Sequence, residues 1–427
     1  MHLAGASELK SSSVLAWRLR RHGLHPRLPT GDPAAVAERV CGLHAQVMSS
    51  ADLSLLARLD DHQPGALATA LWRDRTLVKL WAARGTLHLL PAASLPTWLG
   101  ALSTLRKFGN NGHPDTQRIC DAVATALHDR ILTRPELAEE VGRLTGSPRL
   151  ASWVLSSWGS DLKAASFRGL LCFAENGFTS PEHWLGPIDR SGSSSDSLRS
   201  VVRLFLRSYA PTTPAQIARW WAGPPRERLG RELLDLIRPE TELVHHAGHD
   251  ALVLAADLPE LRATAGLPPP HASAGLPPPH ASAGLPAPRT SAGLPTPHAA
   301  VDPPTLRAAV DVPGIRAADD HSEAHAVESA SYRLLPAFDP WVLGMPREEP
   351  FIDPKHLPAV FRPAGRIAPV ILTNGRITGT WTHRVTPRHA EITLTPFDPP
   401  ATRQPLTDEA ERIATHLGRP LSISWAW

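Results

Sequence analysis

TLVKLWAARGTLHLLP, residues 76–91, decides how the first quarter of this chain folds. The runs on either side of Gly85 are short, apolar and bounded by turn residues, and glycine tolerates the positive φ of a tight reversal, so the two halves are expected to pair as a hairpin. Upstream lie four helical patterns, at 11–21, 32–43, 51–61 and 64–74. The second opens with Asp32 as N-cap and Pro33 in the first turn, where its missing N–H costs nothing. Helices closed by a hairpin wing describe a winged-helix unit spanning 1–106.

The plan recurs. Helical patterns at 115–130, 133–144 and 151–166 precede RGLLCFAENGFTSPEHWL, in which Asn176-Gly177 is a strong hairpin signal. These make a second unit, 107–190, with Thr133 as a cap and Pro135 early in its helix. A third, 195–261, holds helices at 197–211, 212–223 and 226–237, then the strand pair TELVHHAGHDALVLAAD; Thr213 caps and Pro214 follows. From Ala265 to Ala300 a nine-residue unit, AGLPPPHAS and three variants, runs back to back. With so much proline and almost no bulky residue it cannot build a core, so 262–330 is expected to be disordered. Beyond it, 331–427 is rich in short strands, with Asn374-Gly375 a second two-residue hairpin turn. The expected fold is α+β: three tandem winged-helix units, then a small C-terminal antiparallel β-barrel.

With 427 residues the chain is too long for one core, and 42% apolar with 20% charged residues describes a soluble globular protein. No run approaches the ~18 apolar residues of a membrane span. The N-terminus lacks the basic head and apolar core of a secretion signal, so a cytoplasmic protein is expected. Cys41, Cys120 and Cys172 stand far apart and read as buried, reduced packing residues. No HExxH pattern or ligand-spaced cluster appears, and neither metal nor cofactor is expected. A net charge of +3 and a pI near 9.0 permit nucleic acid as partner without demanding it.

Five stretches in order, GLHAQVMSSADLSLLARL, RGTLHLLP, SWGSDLKAASFRGLLCF, TTPAQIARWW, and LLPAFDPWVLG with NGRITGTW, make the chain resemble the bacterial AlkZ/YcaQ-type DNA glycosylases across nearly its whole length outside the repeats. That resemblance implies a C-shaped molecule clamped on double-stranded DNA, sufficient as a monomer, that excises alkylated bases in DNA repair. Interstrand crosslinks and bulky adducts fall within what an open clamp can accept. The family carries a motif of glutamine, an apolar residue, then glutamine or aspartate in its first winged-helix unit. The matching positions are His44, Ala45 and Gln46, with histidine in place of the first glutamine.

The chemistry makes that motif intelligible. A purine alkylated at N7 or N3 is already cationic, so the enzyme has chiefly to stabilise an oxocarbenium-like sugar and position a water. The Gln46 amide can accept from the water while its dipole faces the developing charge. His44 offers a second hydrogen bond or a general base, and with an ordinary imidazole pKa activity is expected to fall below about pH 6. Arg84, Thr86 and His88 on the first wing are expected beside the lesion; period-2 alternation turns Thr86 and His88 outward if Leu87 and Leu89 are buried. Lys163 and Arg168, with Arg376, Thr380, Trp381 and Arg384 on the C-terminal hairpin, are candidates for DNA contact, Trp381 reading equally as core. The competing classes are a non-catalytic winged-helix regulator reading a base sequence in the major groove and a scaffold recruited through the proline repeats.

Overall fold

The computed structural model describes residues 8–108, 110, 112–155, 160–266 and 330–426. The disorder expected over 262–330 lies outside the described residues except at 262–266 and 330; Arg262 and Ala263 end the helix Leu258–Ala263. No described helix is long and apolar enough to cross a membrane.

Helix starts follow the side chains that satisfy their free N–H groups. Helix α1 (Ser11–Arg21) is followed by α2 (Pro33–Arg39), where the Asp32 carboxylate accepts from Ala34 N at 2.9 Å. Thr133 and Glu136 form a reciprocal capping box on Arg134–Thr145, and the Thr213 hydroxyl accepts from Gln216 N to open Pro214–Ala222. Helix α3 (Met48–Leu56) begins after an uncapped bend.

Among the described residues, fifteen strands fall into four sheets. Strand β1 (Glu8–Leu9) is short. Strands β2 (Leu43–His44), β3 (Leu77–Trp81), β4 (Leu87–Pro91), β5 (Cys172–Ala174) and β6 (Gly177–Thr179) form one sheet in the order β2-β4-β3-β5-β6. The two hairpins expected to close separate units therefore share a sheet, joined where Lys79 pairs with Phe173. Strands β7 (Thr241–His246) and β8 (His249–Leu254) turn through Ala247 and Gly248, both at positive φ, and β1 adds to β7 in parallel.

The C-terminal strands are β9 (Tyr332–Leu335), the ribbon β10 (Phe361–Arg362) with β11 (Arg366–Ile367), then β12 (Val370–Thr373), β13 (Arg376–Val385), β14 (Ala390–Pro396) and β15 (Leu421–Trp425). Asn374 and Gly375, at φ 49° and 79°, make the expected turn between β12 and β13. The expected barrel is not found: the sheet is open, ordered β15-β14-β13-β12-β9, and β14 pairs with β15 in parallel because the helix Gln404–His416 crosses between them. Closure is unnecessary because both faces are covered. Val370 and Leu372 pack with Leu15 and Leu19 of α1, whereas the alternate residue Ile371 joins Trp381, Ile392 and Leu394 under Leu406, Ala410 and Ile413 of that helix and Leu53 and Leu56 of α3.

The N-terminal and C-terminal parts are held by ions as well as apolar contact. Arg58, at the end of α3, meets Asp339 through two parallel hydrogen bonds of 2.8 Å, both side chains fully buried. Ser54 Oγ donates to Asp339 Oδ2 at 2.8 Å, and Trp341 N donates to Oδ1 at 2.9 Å, so the carboxylate is satisfied on both oxygens. Removing one partner strands a charge without water. Asp339→Ala is expected to lower the unfolding free energy by about 3–5 kcal/mol, read as a fall in denaturant midpoint. Arg58→Met with Asp339→Leu should recover most of that loss; a double variant as unstable as the single one would show that packing, and not charge, is at stake.

Candidate functional site

His44 reaches its position through a left-handed turn that depends on glycine at its second residue. Cys41 and Gly42 lie at φ 60° and 91° and swing the chain from α2 into β2; a Cβ on Gly42 would stand 2.8 Å from a Leu90 methyl. Strand β2 then pairs antiparallel with β4, setting His44 opposite His88. The rings meet edge to face at 5.6 Å, and the other side of His44 stacks on Phe338 at 5.0 Å. Phe338 itself holds φ 62°, uncommon for a bulky residue, in the segment that Asp339 anchors. His44 is 6% exposed, and its Nδ1 is buried with no hydrogen-bond partner among the described residues.

The β3–β4 turn supplies the rest. Arg84 (φ 61°) and Gly85 (φ 72°) are left-handed in succession, and Gly85 packs where any Cβ would collide with the Phe108 ring at 2.2 Å. From this turn Arg84 Nη1 donates to the Trp220 carbonyl at 2.7 Å and Nη2 approaches His88 Nε2 at 3.4 Å. His88 Nδ1 donates to the Thr86 carbonyl at 2.9 Å, which puts the proton on Nδ1 and leaves Nε2 the acceptor. Thr86 Oγ1 donates to Ala83 O within the turn. A cavity of about 10 Å³, room for one water, is bounded by His44, Arg84, His88, Tyr209 and Trp220.

Burial governs the charges here. It pushes the His44 pKa down to about 3, with Arg84 adding repulsion, and drives His88 well below the ordinary imidazole value with help from Arg84 and His44. Both rings are neutral across the physiological range. The fall in activity below pH 6 expected of His44 rested on an ordinary imidazole, and burial removes that basis. Arg84 is lowered to about 10 by burial and remains a cation.

Gln46 is exposed in the bend before α3, two residues beyond His44 and past the end of the strand. Lys163 lies half-buried with its ammonium 4.2 Å from the Phe108 ring centre. Lys107, which the sequence reading missed, flanks the same ring at 5.2 Å and donates to Ala222 O at 2.5 Å, at the C-terminal end of Pro214–Ala222. Burial lowers the pKa of Lys107, and Arg226 and Arg84 lower it further; Lys163 is lowered by burial and by Lys107. These four cations, Arg84, Lys107, Lys163 and Arg226, make no ion pair with a carboxylate among the described residues. Nothing in the local sequence around KFGNNGH marks Lys107; the grouping is made by tertiary contact.

Other expected residues lie elsewhere. Arg168 bonds Asn110 Oδ1 and Gln117 Oε1, at 2.9 and 2.8 Å. His88, expected to face outward, is instead 2% exposed. Arg376 donates to Pro350 O and borders a cavity of about 480 Å³ with Tyr332, Phe351 and Phe397, which includes no residue of the His44–Gln46 motif. Thr380 is half-buried and Arg384 exposed on one face of β13. Trp381 is core: it is 1% exposed, and its indole donates to Leu335 O at 2.8 Å, so it cannot probe a groove.

A family model described as "DNA glycosylase AlkZ-like" matches residues 37–279 and 285–416. The protein named "Interstrand DNA cross-link repair glycosylase" from Streptomyces sahachiroi is 29% identical over 435 residues, covering 96% of each chain. The solved structure of Streptomyces sahachiroi DNA glycosylase AlkZ is similar with a TM-score of 0.71 at 25% identity, covering 98% of this chain and 100% of that one.

The buried imidazoles set an acid limit on stability. His22, like His44 and His88, is held well below the ordinary value, by burial first and then by Arg58. A depressed folded pKa means that the unfolded chain takes up protons the folded one refuses, so stability is full above pH 6.5 and declines as pH falls. At pH 5.5, about one unit below the unfolded value, each such histidine withdraws about 1.4 kcal/mol. Asp52 and Glu349, both held to about 2 by their partners against the upward pull of burial, add their loss only below about pH 4. Denaturant midpoints at pH 7.5 and 5.5 should differ, and His88→Gln, if folded, should shrink that difference; an unchanged midpoint would refute neutral burial.

Proposed function

The chain belongs to the AlkZ-like DNA glycosylase family, and on that premise we propose that it hydrolyses the N-glycosidic bond of N7- or N3-alkylated purines in duplex DNA, crosslinked and bulky adducts included. Water is the nucleophile and no covalent enzyme intermediate forms. We read 1–106, 107–190 and 195–261 as winged-helix units that grip the duplex.

The observation that carries this reading is the pairing of a neutral, buried His44 and an exposed Gln46 with four cations that have no carboxylate partner among the described residues. Gln46 orients the water beneath the sugar, its carbonyl accepting from the water. His44 does the work of the glutamine it replaces. At a pKa of about 3 it is too weak a base to take the water's proton, but as a neutral ring it donates or accepts one hydrogen bond without setting positive charge beside the oxocarbenium. Arg84, Lys107, Lys163 and Arg226 meet phosphates, where unpaired cations gain by releasing counterions. The neighbouring cavity of about 10 Å³ is far too small for a base. A site that leaves its base outside suits large adducts, which a tight flipping pocket would reject.

Duplex DNA with a single N7-methylguanine is the substrate to use, with alkali-labile strand breaks as readout. Excision is expected with a flat pH profile from 5.5 to 8. Gln46→Ala should slow it by roughly 10²-fold or more with DNA affinity nearly unchanged, whereas His44→Gln should keep it. Absence of excision of any alkylated purine, together with a footprint at one sequence, would favour the regulator instead. Lys107→Ala and Lys163→Ala should each reduce the slope of log affinity against log salt by about 1, uniformly across sequences; an unchanged slope would remove them from the interface.

A further inference from the structure

Asp52, His62 and His416 come together from three places in the chain: the middle of α3, the loop after it, and the last residue of Gln404–His416. His62 Nε2 lies 2.8 Å from Asp52 Oδ1, and His416 Nε2 lies 2.7 Å from Oδ2. The imidazoles stack at 5.2 Å with planes 22° apart, and the three donor atoms lie within 4.8 Å of one another. The histidine side chains are 1% and 4% accessible and that of Asp52 is 28%, so the group is closed on the protein side and open on one edge.

We propose that these three residues bind one divalent cation of the zinc class, which clamps the C-terminal helix to α3. Two imidazoles and one carboxylate are the donors such ions prefer, whereas calcium and magnesium call for oxygen. In a tetrahedral zinc site with bonds of about 2.0–2.1 Å, neighbouring ligand atoms stand about 3.3 Å apart. Reaching it means opening the hydrogen bond at the coordinating carboxylate oxygen by about half an ångström and drawing the other donor separations, at most 4.8 Å, in toward the same value, and the exposed edge admits the ion and a water as fourth ligand. Charge argues in the same direction. The ion-pair partners of Asp52 among the described residues are these two histidines, which leave its negative charge uncompensated whenever both rings are neutral. Each ring binds through Nε2 after its proton moves to Nδ1, so no net proton is required. His416 Nδ1 is buried with no hydrogen-bond partner among the described residues, so no bond on that side opposes the change. The same lack of an outer acceptor keeps affinity modest, because supporting hydrogen bonds raise ligand basicity.

The sequence separation explains why ligand spacing along the chain does not reveal the site. Its effect would be structural: α3 starts two residues after Gln46, and an ion here ties Asp52 of that helix to a histidine 364 residues downstream.

The test uses the full-length, untagged chain, dialysed against chelator and titrated with Co²⁺. One equivalent should give the visible d–d absorption of a four-coordinate nitrogen/oxygen site, Zn²⁺ should abolish it, and Zn²⁺ should raise Tm. Asp52→Asn and His416→Gln, checked by circular dichroism, should each weaken Co²⁺ binding at least tenfold. Absence of the band from the wild-type protein at a tenfold excess of cobalt would overturn the proposal and leave a metal-free imidazole–carboxylate clip. A band that survives in both variants would also overturn it, assigning the ion to others of the 21 histidines.

Discussion

Two charges that never meet water organise this protein. Arg58 and Asp339 are separated by 281 residues yet form a bidentate pair at zero exposure, and a pair so placed gains little over apolar residues unless every remaining polar atom is provided for. Here Ser54, the Trp341 amide and the Ser54 carbonyl provide for most of them. The return is positional. Asp339 anchors the segment that carries the left-handed Phe338, Phe338 stacks on His44, and the candidate site thereby depends on a segment far away in sequence. Arg18 and Glu349 repeat the device, with Arg18 also donating to Ala210 O and Pro211 O.

Given that frame, the electrostatics of the site follow. Removing His44 and His88 from solvent beside a guanidinium makes protonation costly, so the rings behave as neutral hydrogen-bonding groups comparable to amides. On the proposed reading, histidine at the first motif position can stand in for glutamine because burial keeps it neutral. On the same reading, the positive charge offered to phosphate is carried by Arg84 and the lysines around Phe108, and Arg84 and Lys107 also bond the last carbonyls of Pro214–Ala222.

What the sequence revealed was local. Asp32, Thr133 and Thr213 announced their helices because a cap acts within three residues, and Asn374-Gly375 announced its turn because positive φ is a property of the residue itself. The His44–Gln46 motif was legible through resemblance. Features settled by distant contacts were not. The open C-terminal sheet depends on α1 and Gln404–His416 covering its faces, the merger of two hairpins on one pairing of Lys79 with Phe173, and the burial of His88 on Trp220 and Tyr209 arriving from another part of the chain. Strand alternation gave the relative orientation of Thr86 and His88 but not which side would meet protein. Trp381 shows the same limit, since a tryptophan on a hairpin looks alike in sequence whether it faces a core or a groove.

Helix α1 belongs to two cores at once, with Val14 and Trp17 in one and Leu15, Ala16 and Leu19 in the other, the second built largely from residues 335–377. During synthesis this helix emerges from the ribosome long before its partners for that second face exist. Its apolar side must wait, exposed or shielded by a chaperone, until the C-terminal sheet has been translated. Contacts of such long sequence separation make assembly slow. The rate at which the fold completes then depends on how that early segment is held, apart from the stability of the finished structure.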